Sequence, residues 1–553
     1  MKTNINKLIS KIKGIFSICI IILLFGGLYS CDDFLEREPL DSISDAAVWV
    51  DISLVEAYVN YTYSLLHAGW YACSWLDISS DDGYGTEKPS AHLIQRGEVT
   101  ASNVGYLRYP WSWYWSQITY CNRFHANVAG ENLDALKSQD KDKINRMIGE
   151  MKFIRAYAYF RLLAFYGGVP LIKEPFILGE DFMVARNSYD EVLAFVINEL
   201  DEAATLLPLS YSGDDLGRIT KGAALAIKAR ALLYAASPLW NPGNDVSKWQ
   251  KAADAAKAVI DLNLYSLHPD YKETFTEAGN FNEEIIWAYI TNQGLKYSAE
   301  YRIERKMFPN GSQGWGHPSP SQNLVDCYET TNGLLPKDDP SYDAQDPWVN
   351  RDPRFYASIL YDGAPFQGRE IEVFLPGGAD SPQGNEGWNA SWTGYYIRKY
   401  IDESILVPTN YDTSNPNWPY ARYGEVLLNY AEAQFYLGNE DLTREYLNKI
   451  RSRPSVMMPD VTDTGADLEK RIRNERRIEL YCEEHRFFDM RRWKIAPLDS
   501  MYRINVYKDP VTGIKTKWIT GFMVLNLPER MYLTPIPQSE IDKNPNLEQN
   551  PGY

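Results

Sequence analysis

The sequence predicts a mainly α-helical fold broken by one long loop-rich insert. Three observations lead there. Apolar residues recur at helical spacing in several segments on either side of residues 293–417. Alanine is concentrated in one of those segments, where small side chains let helices approach closely. Between roughly 293 and 420, Gly, Pro and Asn crowd the chain and helical periodicity stops.

Taken in order, Phe153, Ala156, Tyr157, Phe160 and Ala164 share one helical face, and Gly167-Gly168 with Pro170 ends that helix. Residues 219–237 carry Ala223, Ala224, Ala226, Ala229, Ala231, Ala235 and Ala236 and stop at Pro238. Trp249, Ala252, Ala253, Ala256, Val259 and Ile260 repeat the helical pattern up to Asn263, completing a helix–turn–helix unit. A second unit places Leu427, Tyr430, Ala431 and Phe435 on one face and Leu442, Tyr446, Leu447 and Ile450 on the next, with Gly438-Asn439 between them. Such pairs resemble tetratricopeptide repeats, although no strict repeat of that consensus is present. Residues 77–110 read as loop-rich around Ser79-Ser80-Asp81-Asp82-Gly83-Tyr84-Gly85. The 293–417 stretch is too long for a plain loop and reads as an irregular subdomain, with short extended runs such as Glu370-Ile371-Glu372-Val373-Phe374. Function tends to sit on such loops when a rigid scaffold carries them. The reading is of one domain over 31–553, with helical repeats at roughly 40–290 and 418–495 and an extended C-terminal segment over 496–553.

The first thirty residues are excluded from the fold. Lys2, Lys7, Lys11 and Lys13 precede an apolar run over 15–28, which is the size of a secretory h-region rather than a membrane span. It ends at Ser30-Cys31, a pattern that reads as a bacterial lipoprotein signal, with cleavage before Cys31 and lipid on its thiol; Tyr29 is bulkier than is usual there. The expectation is a chain lipid-anchored at a membrane surface rather than spanning it. Its formal charge of −17 makes binding to nucleic-acid phosphates a poor expectation. After Cys31, only Cys73, Cys121, Cys327 and Cys482 remain, with no CxxC and no zinc-ligand spacing; whether they pair stays open. No HExxH, GxSxG or P-loop is present, so the commonest peptidase, esterase and nucleotide-binding signatures are missing and no cofactor or metal site is expected; no EF-hand spacing is present either, and whether loop acids hold calcium stays open.

Five segments resemble the SusD/RagB family of outer-membrane nutrient-binding lipoproteins. They are Cys31-Asp32-Asp33-Phe34-Leu35 with Pro39 and Trp49; Trp111 to Ile118 with Asn122, where Trp115 replaces a commoner tyrosine; Phe153-Ile154-Arg155-Ala156-Tyr157 leading to Tyr166-Gly167-Gly168-Val169-Pro170-Leu171; Asn474 to Trp493, where Glu484 replaces an expected glycine; and Pro535-Ile536-Pro537 through Asn544-Pro545 to Gln549-Asn550-Pro551-Gly552-Tyr553. The resemblance implies a tetratricopeptide-like helical solenoid with the irregular region packed on it. It also implies a non-catalytic protein that captures a glycan and delivers it to a SusC-like TonB-dependent transporter. Alternatives are a binder of peptide or another non-glycan nutrient, and a glycoside hydrolase.

A sugar ring presents an apolar face of C–H groups and an edge of hydroxyls, so it asks for flat aromatics beside planar hydrogen-bonding groups. Trp315, in Gly314-Trp315-Gly316, and Tyr84, in Gly83-Tyr84-Gly85, have glycine neighbours that leave room for a ligand. Tyr301 precedes the Trp315 loop, Trp75 precedes the Asp81 loop, and Asp82 and Arg96 supply hydrogen-bonding groups. Each aromatic has the competing role of pinning its loop to the core, most strongly Trp75. Trp388 and Trp392 are weaker candidates. In the charged 473–493 helix, Arg476 with Glu479 and Glu479 with Glu483 lie at helical spacing and read as an ion-pair network fixing this solenoid helix to its neighbours, rather than as a catalytic site with Glu479 or Asp489 as acid or base. Asp81 and Asp82 are adjacent, and neighbouring side chains rarely face one glycosidic bond.

Overall fold

The computed structural model describes residues 45–67, 76–85, 89–291, 303–406, 414–497 and 499–553. Cys31, Trp75 and Tyr301 lie outside them, as does the leader. The helices used below are α1 (Ile52–Ser64), α2 (Pro89–Gln95), α3 (Arg108–Asn127), α4 (Gly130–Tyr166), α5 (Tyr189–Leu206), α6 (Lys221–Ala236), α7 (Val246–Ile260), α8 (Tyr423–Tyr436), α9 (Glu440–Arg451), α10 (Gly465–Glu479) and α11 (His485–Arg492). The strands are β1 (Gly83–Tyr84), β2 (Ile285–Tyr289), β3 (Ser319–Pro320), β4 (Ile359–Leu360), β5 (Pro365–Phe366), β6 (Arg369–Glu370), β7 (Tyr396–Ile397), β8 (Trp418–Arg422), β9 (Ser500–Lys508) and β10 (Lys515–Val524). All pair in antiparallel two-stranded ladders: β1 with β3, β2 with β8, β4 with β7, β5 with β6 and β9 with β10. The fold is a mainly α-helical solenoid with few short strands.

Helix starts follow local chemistry. Asp51 accepts from the Ser53 and Leu54 N–H groups to cap α1, and Ser188 with Glu191 forms a capping box on α5. Thr220 caps α6 and Asp245 caps α7. α4 is two helices joined at Asp140, whose backbone is extended and whose carboxylate accepts from Lys143 N–H as an internal N-cap. Its end comes at Gly167, with φ +75, a conformation that a side chain would strain.

Each helix packs on its successor from α3 to α7, and after the insert α8 packs on α7 and pairs with α9. The solenoid thus continues across the insert. The β2–β8 ladder closes the insert at its base, Ile285 lying opposite Arg422 and Tyr289 opposite Trp418. The alanine face of α6 is buried throughout, as the small-residue pattern predicts. Leu442 departs from its predicted face and is exposed near the start of α9. Of the extended run 370–374, only Glu370 lies in a strand; Ile371 continues by exchanging backbone bonds with Gly363 and Ala364. The C-terminal segment contains the β9–β10 hairpin, with a bulge at Phe522 between Gly521 and Met523.

The charges of α10 tie this helix to its neighbours, as expected, but through partners other than those at helical spacing. Glu479 is fully buried and accepts from Arg354, Arg422 and Arg453, each at 2.9 Å, from three other parts of the chain. Arg476 binds Asp489 at 3.2 Å and Asn429 at 2.7 Å instead of Glu479. Glu483, past the helix end, binds Arg422 and Lys399. The pairing is tertiary, because α10 lies between the insert and α8 rather than at the surface. Cys482 is disulfide-bonded, whereas Cys121 and Cys327 are free thiols. Among the described residues, no helix is long and apolar enough to cross a membrane.

Candidate functional site

Three segments converge on one surface. The first is the loop ending in β1, with α2 behind it. Asp81 and Asp82 fix this loop: Arg486 grips Asp81 at 2.8 Å, and Arg477 binds Asp82 through Nε at 2.6 Å. Their backbone carbonyls accept from Ser321, which clamps the loop to the insert. Burial pushes both carboxyls up; for Asp81 the Arg477 and Arg486 guanidiniums outweigh it and hold the group low, while Asp82, also beside Asp81, stays raised. Asp82 is 1% exposed, so the expected ligand contact is a buried scaffold tie instead. Its position inside the loop was readable; its arginine, 395 residues away, was not.

Tyr84 pairs with Ser319 across the β1–β3 ladder, which sets the 83–85 and 315–320 segments side by side. Its ring stacks on His92 at 4.7 Å and 15°, meets Phe522 edge-on at 5.2 Å, and lies 6.1 Å from Trp392. Tyr84 and Phe522 rest on a small satellite core of Met501, Met523 and Leu525. Tyr84 is therefore both a loop anchor and part of an aromatic surface. Burial lowers the pKa of His92, with Arg96 adding to the effect, so its ring is uncharged at neutral pH. Arg96 sits one turn on from His92 and is exposed.

The second segment is the insert loop carrying Trp392, which is 52% exposed. The third is the hairpin, bonded to the insert where Ile504 N–H donates to Thr393 O at 3.0 Å and Leu375 N–H to Val506 O at 2.9 Å. Between them runs a groove of about 210 Å³ lined by Trp392, Trp518, Tyr507, Arg503 and Asn505, with Asp380 and Ser391 at its wall. Trp518 is 48% and Tyr507 42% exposed. Strand alternation places Arg503, Asn505 and Tyr507 on one face, and the register sets Trp518 opposite Asn505 and Thr520 opposite Arg503. Asn505 Nδ2 donates to Thr520 Oγ1 at 2.9 Å, leaving its Oδ1 as an acceptor. Open aromatic faces beside amide and guanidinium groups suit a flat, hydroxylated ligand.

Trp315 sits differently. It is half-buried, its backbone N–H donates to Arg305 O at 2.9 Å, and the Arg305 guanidinium lies 5.9 Å from its ring. The flanking glycines do not open space for a ligand. A Cβ on Gly314 would sit 2.1 Å from Phe308 O, and one on Gly316 would sit 2.6 Å from Asn389 O. Gly85 is likewise filled, by His317 and Ile78. These glycines admit neighbouring chain, which corrects their reading as room for a ligand. The structure thus gathers Tyr84, Arg96 and Trp392, leaves Trp315 against Arg305, and adds His92, Arg503, Asn505, Tyr507, Trp518 and Phe522. Trp388 is 66% exposed in the loop before Trp392. The missed residues had a signal: alternating β-branched and aromatic residues flank Asp509-Pro510-Val511-Thr512-Gly513, a hairpin pattern.

The residues carrying the family resemblance lie elsewhere, in the scaffold. Arg155 donates to Asn122 Oδ1 at 3.0 Å and to Glu199. Arg161 donates to Glu484 at 2.6 Å, and Asn550 Nδ2 bridges Tyr166 O and Thr534 O. The signature segments are stitched to one another by buried polar contacts.

This geometry is that of a helical-repeat protein whose loops and hairpin build an open aromatic groove on one surface. Residues 283–553 match a family described as the SusD family, and residues 77–233 match one described as "Starch-binding associating with outer membrane". The chain belongs to the SusD family. A SusD-like protein of Formosa agariphila is 24% identical over 97% of this chain and 99% of its own, and one of Bacteroides ovatus is 24% identical over 94% of each. Among solved structures, a SusD-like protein of Bacteroides fragilis aligns with a TM-score of 0.79 at 28% identity, covering 94% of this chain and 100% of its own. A SusD-like carbohydrate binding protein of the same species aligns with a TM-score of 0.76 at 27% identity, covering 91% and 100%.

Proposed function

We propose that this protein is a lipid-anchored outer-membrane lipoprotein that binds a glycan at its surface and delivers it to a SusC-like TonB-dependent transporter, without catalysis. The observation that carries the reading is the open groove in which Trp392, Trp518 and Tyr507 stand beside Arg503 and Asn505. Aromatic faces supply stacking against sugar C–H groups, and the polar side chains reach the hydroxyl edge. It is supported by a whole-length structural relative that is a SusD-like carbohydrate binding protein, and by the match of residues 77–233 to a starch-binding family associating with the outer membrane. Anchoring rests on Cys31 and the leader before it. Against hydrolysis stands the placement of Asp81 and Asp82, which are buried and held by arginines rather than facing a cleft. Affinity electrophoresis of the full-length protein in detergent across polysaccharides and peptides tests the reading. Retardation by a polysaccharide supports it; retention by peptides alone moves the ligand to the nutrient-peptide class.

A further inference from the structure

We infer that the glycan taken by this groove is anionic, a uronate-bearing or sulfated polysaccharide. The inference rests on the glycan reading above and narrows it. Its basis is which arginines the fold leaves unspent. Arg354, Arg422, Arg451, Arg453, Arg477, Arg486 and Arg492 all bind buried carboxylates. Two guanidiniums at the aromatic surface do not. Among the described residues, Arg503 reaches only Thr520 Oγ1, at a long 3.5 Å, and lies 5.8 Å over the Phe522 ring. Arg96 is exposed beside His92, and among the described residues its guanidinium has no hydrogen bond or ion pair.

Both flank one cluster, because the Tyr84 ring contacts His92 on one side and Phe522 on the other. Among the described residues, the one acid lining the groove, Asp380, is buried and already neutralised: Arg369 donates to its two oxygens at 2.6 and 2.8 Å. The groove is therefore locally positive in a chain of net charge −17. A neutral sugar needs stacking faces and hydroxyl partners, which Trp392, Trp518 and Asn505 already provide. A chain this acidic repels a polyanion at long range, so binding one requires unpaired cations at the point of contact. Guanidinium is the group that meets carboxylate or sulfate with two parallel hydrogen bonds while stacking on an aromatic ring.

The test uses the purified full-length protein in detergent against three sets of polysaccharide: polygalacturonate and alginate, chondroitin sulfate and carrageenan, and neutral dextran, starch and xylan. Tightest binding to a uronate or sulfated member is expected, weakening as salt rises from about 50 to about 300 mM. Arg503→Gln and Arg96→Gln should each weaken it at least about tenfold at unchanged melting temperature. The uronate and sulfate sets tell which anion is read. The salt dependence needs no variant, so it stands even where a substitution disturbs the fold. Tightest binding to a neutral glycan, insensitive to salt and to both arginine changes but lost in Trp392→Ala, overturns the anionic inference and leaves glycan binding standing. Binding to no polysaccharide in any set overturns both.

Discussion

Glu484 holds two opposing demands at one residue. The family pattern expects glycine there, and the structure shows why: φ is +69, in the left-handed region. Holding a side chain in that region costs about 1–2 kcal/mol. The compensation is its carboxylate, which binds the buried Arg161 at 2.6 Å. Removing one partner of a buried pair costs about 3–5 kcal/mol. Glu484→Gly should therefore destabilise the protein despite relieving the backbone, and Arg161→Met in the same chain should recover part of the loss; urea unfolding of wild type and the two variants checks both. His485 makes the pH prediction. Burial, then Arg230, Arg476, Arg422 and Arg492, hold its pKa well below the usual histidine value. The unfolded chain thus takes up the proton first, so this contribution to stability is present above about pH 6.5 and is lost as pH falls. Wild type should lose stability relative to His485→Gln on acidification below about pH 6.5, read from unfolding profiles; parallel profiles would remove the assignment.

At the scale of elements, the periodic helices were legible because their apolar spacing and their stops at Gly167, Pro238 and Asn263 are local. The β9–β10 hairpin was read only as an extended segment, although Asp509-Pro510 and Gly513 bracket its turn, because a C-terminal run without helical period invites no pairing. That reading hid Arg503, Asn505 and Trp518 from the candidate site. The glycines around Trp315 misled for a different reason: a glycine in a loop looks like access, and only the fold shows that Phe308 O lies where a Cβ would stand. Gly314→Ala should accordingly lower the melting temperature while leaving glycan affinity unchanged, measured on one preparation by scanning calorimetry and affinity electrophoresis.

Across the whole molecule, charge organises the join between solenoid and insert. Arg354 comes from the insert, Arg422 from the end of β8, Arg453 from just beyond α9, and all three meet Glu479. No sequence window could reveal this, since Glu479 and Arg354 lie 125 residues apart. Glu479→Gln would leave those arginines short of one buried negative charge and should cost about 3–5 kcal/mol, read from urea unfolding at neutral pH. Burial raises the Glu479 carboxyl, but Arg453, Arg422 and Arg354 outweigh it and hold it below the usual range. Its contribution is therefore present at neutral pH and lost as pH falls through the acidic range.

This rigid frame carries the insert and the hairpin that form the groove, where a glycan is expected to bind. The direct measurement is polysaccharide affinity and melting temperature on the same Trp392→Ala,Trp518→Ala preparation, beside wild type. Both rings are about half exposed, so their loss should cost little folding stability. Each aromatic contact contributes about 0.5–1.5 kcal/mol beyond area burial, so the pair should weaken binding about tenfold or more. A tenfold or larger loss of affinity at a melting temperature within a few degrees of wild type is the predicted result. Unchanged affinity for a polysaccharide that the wild type binds would contradict the account and place the site elsewhere on the molecule.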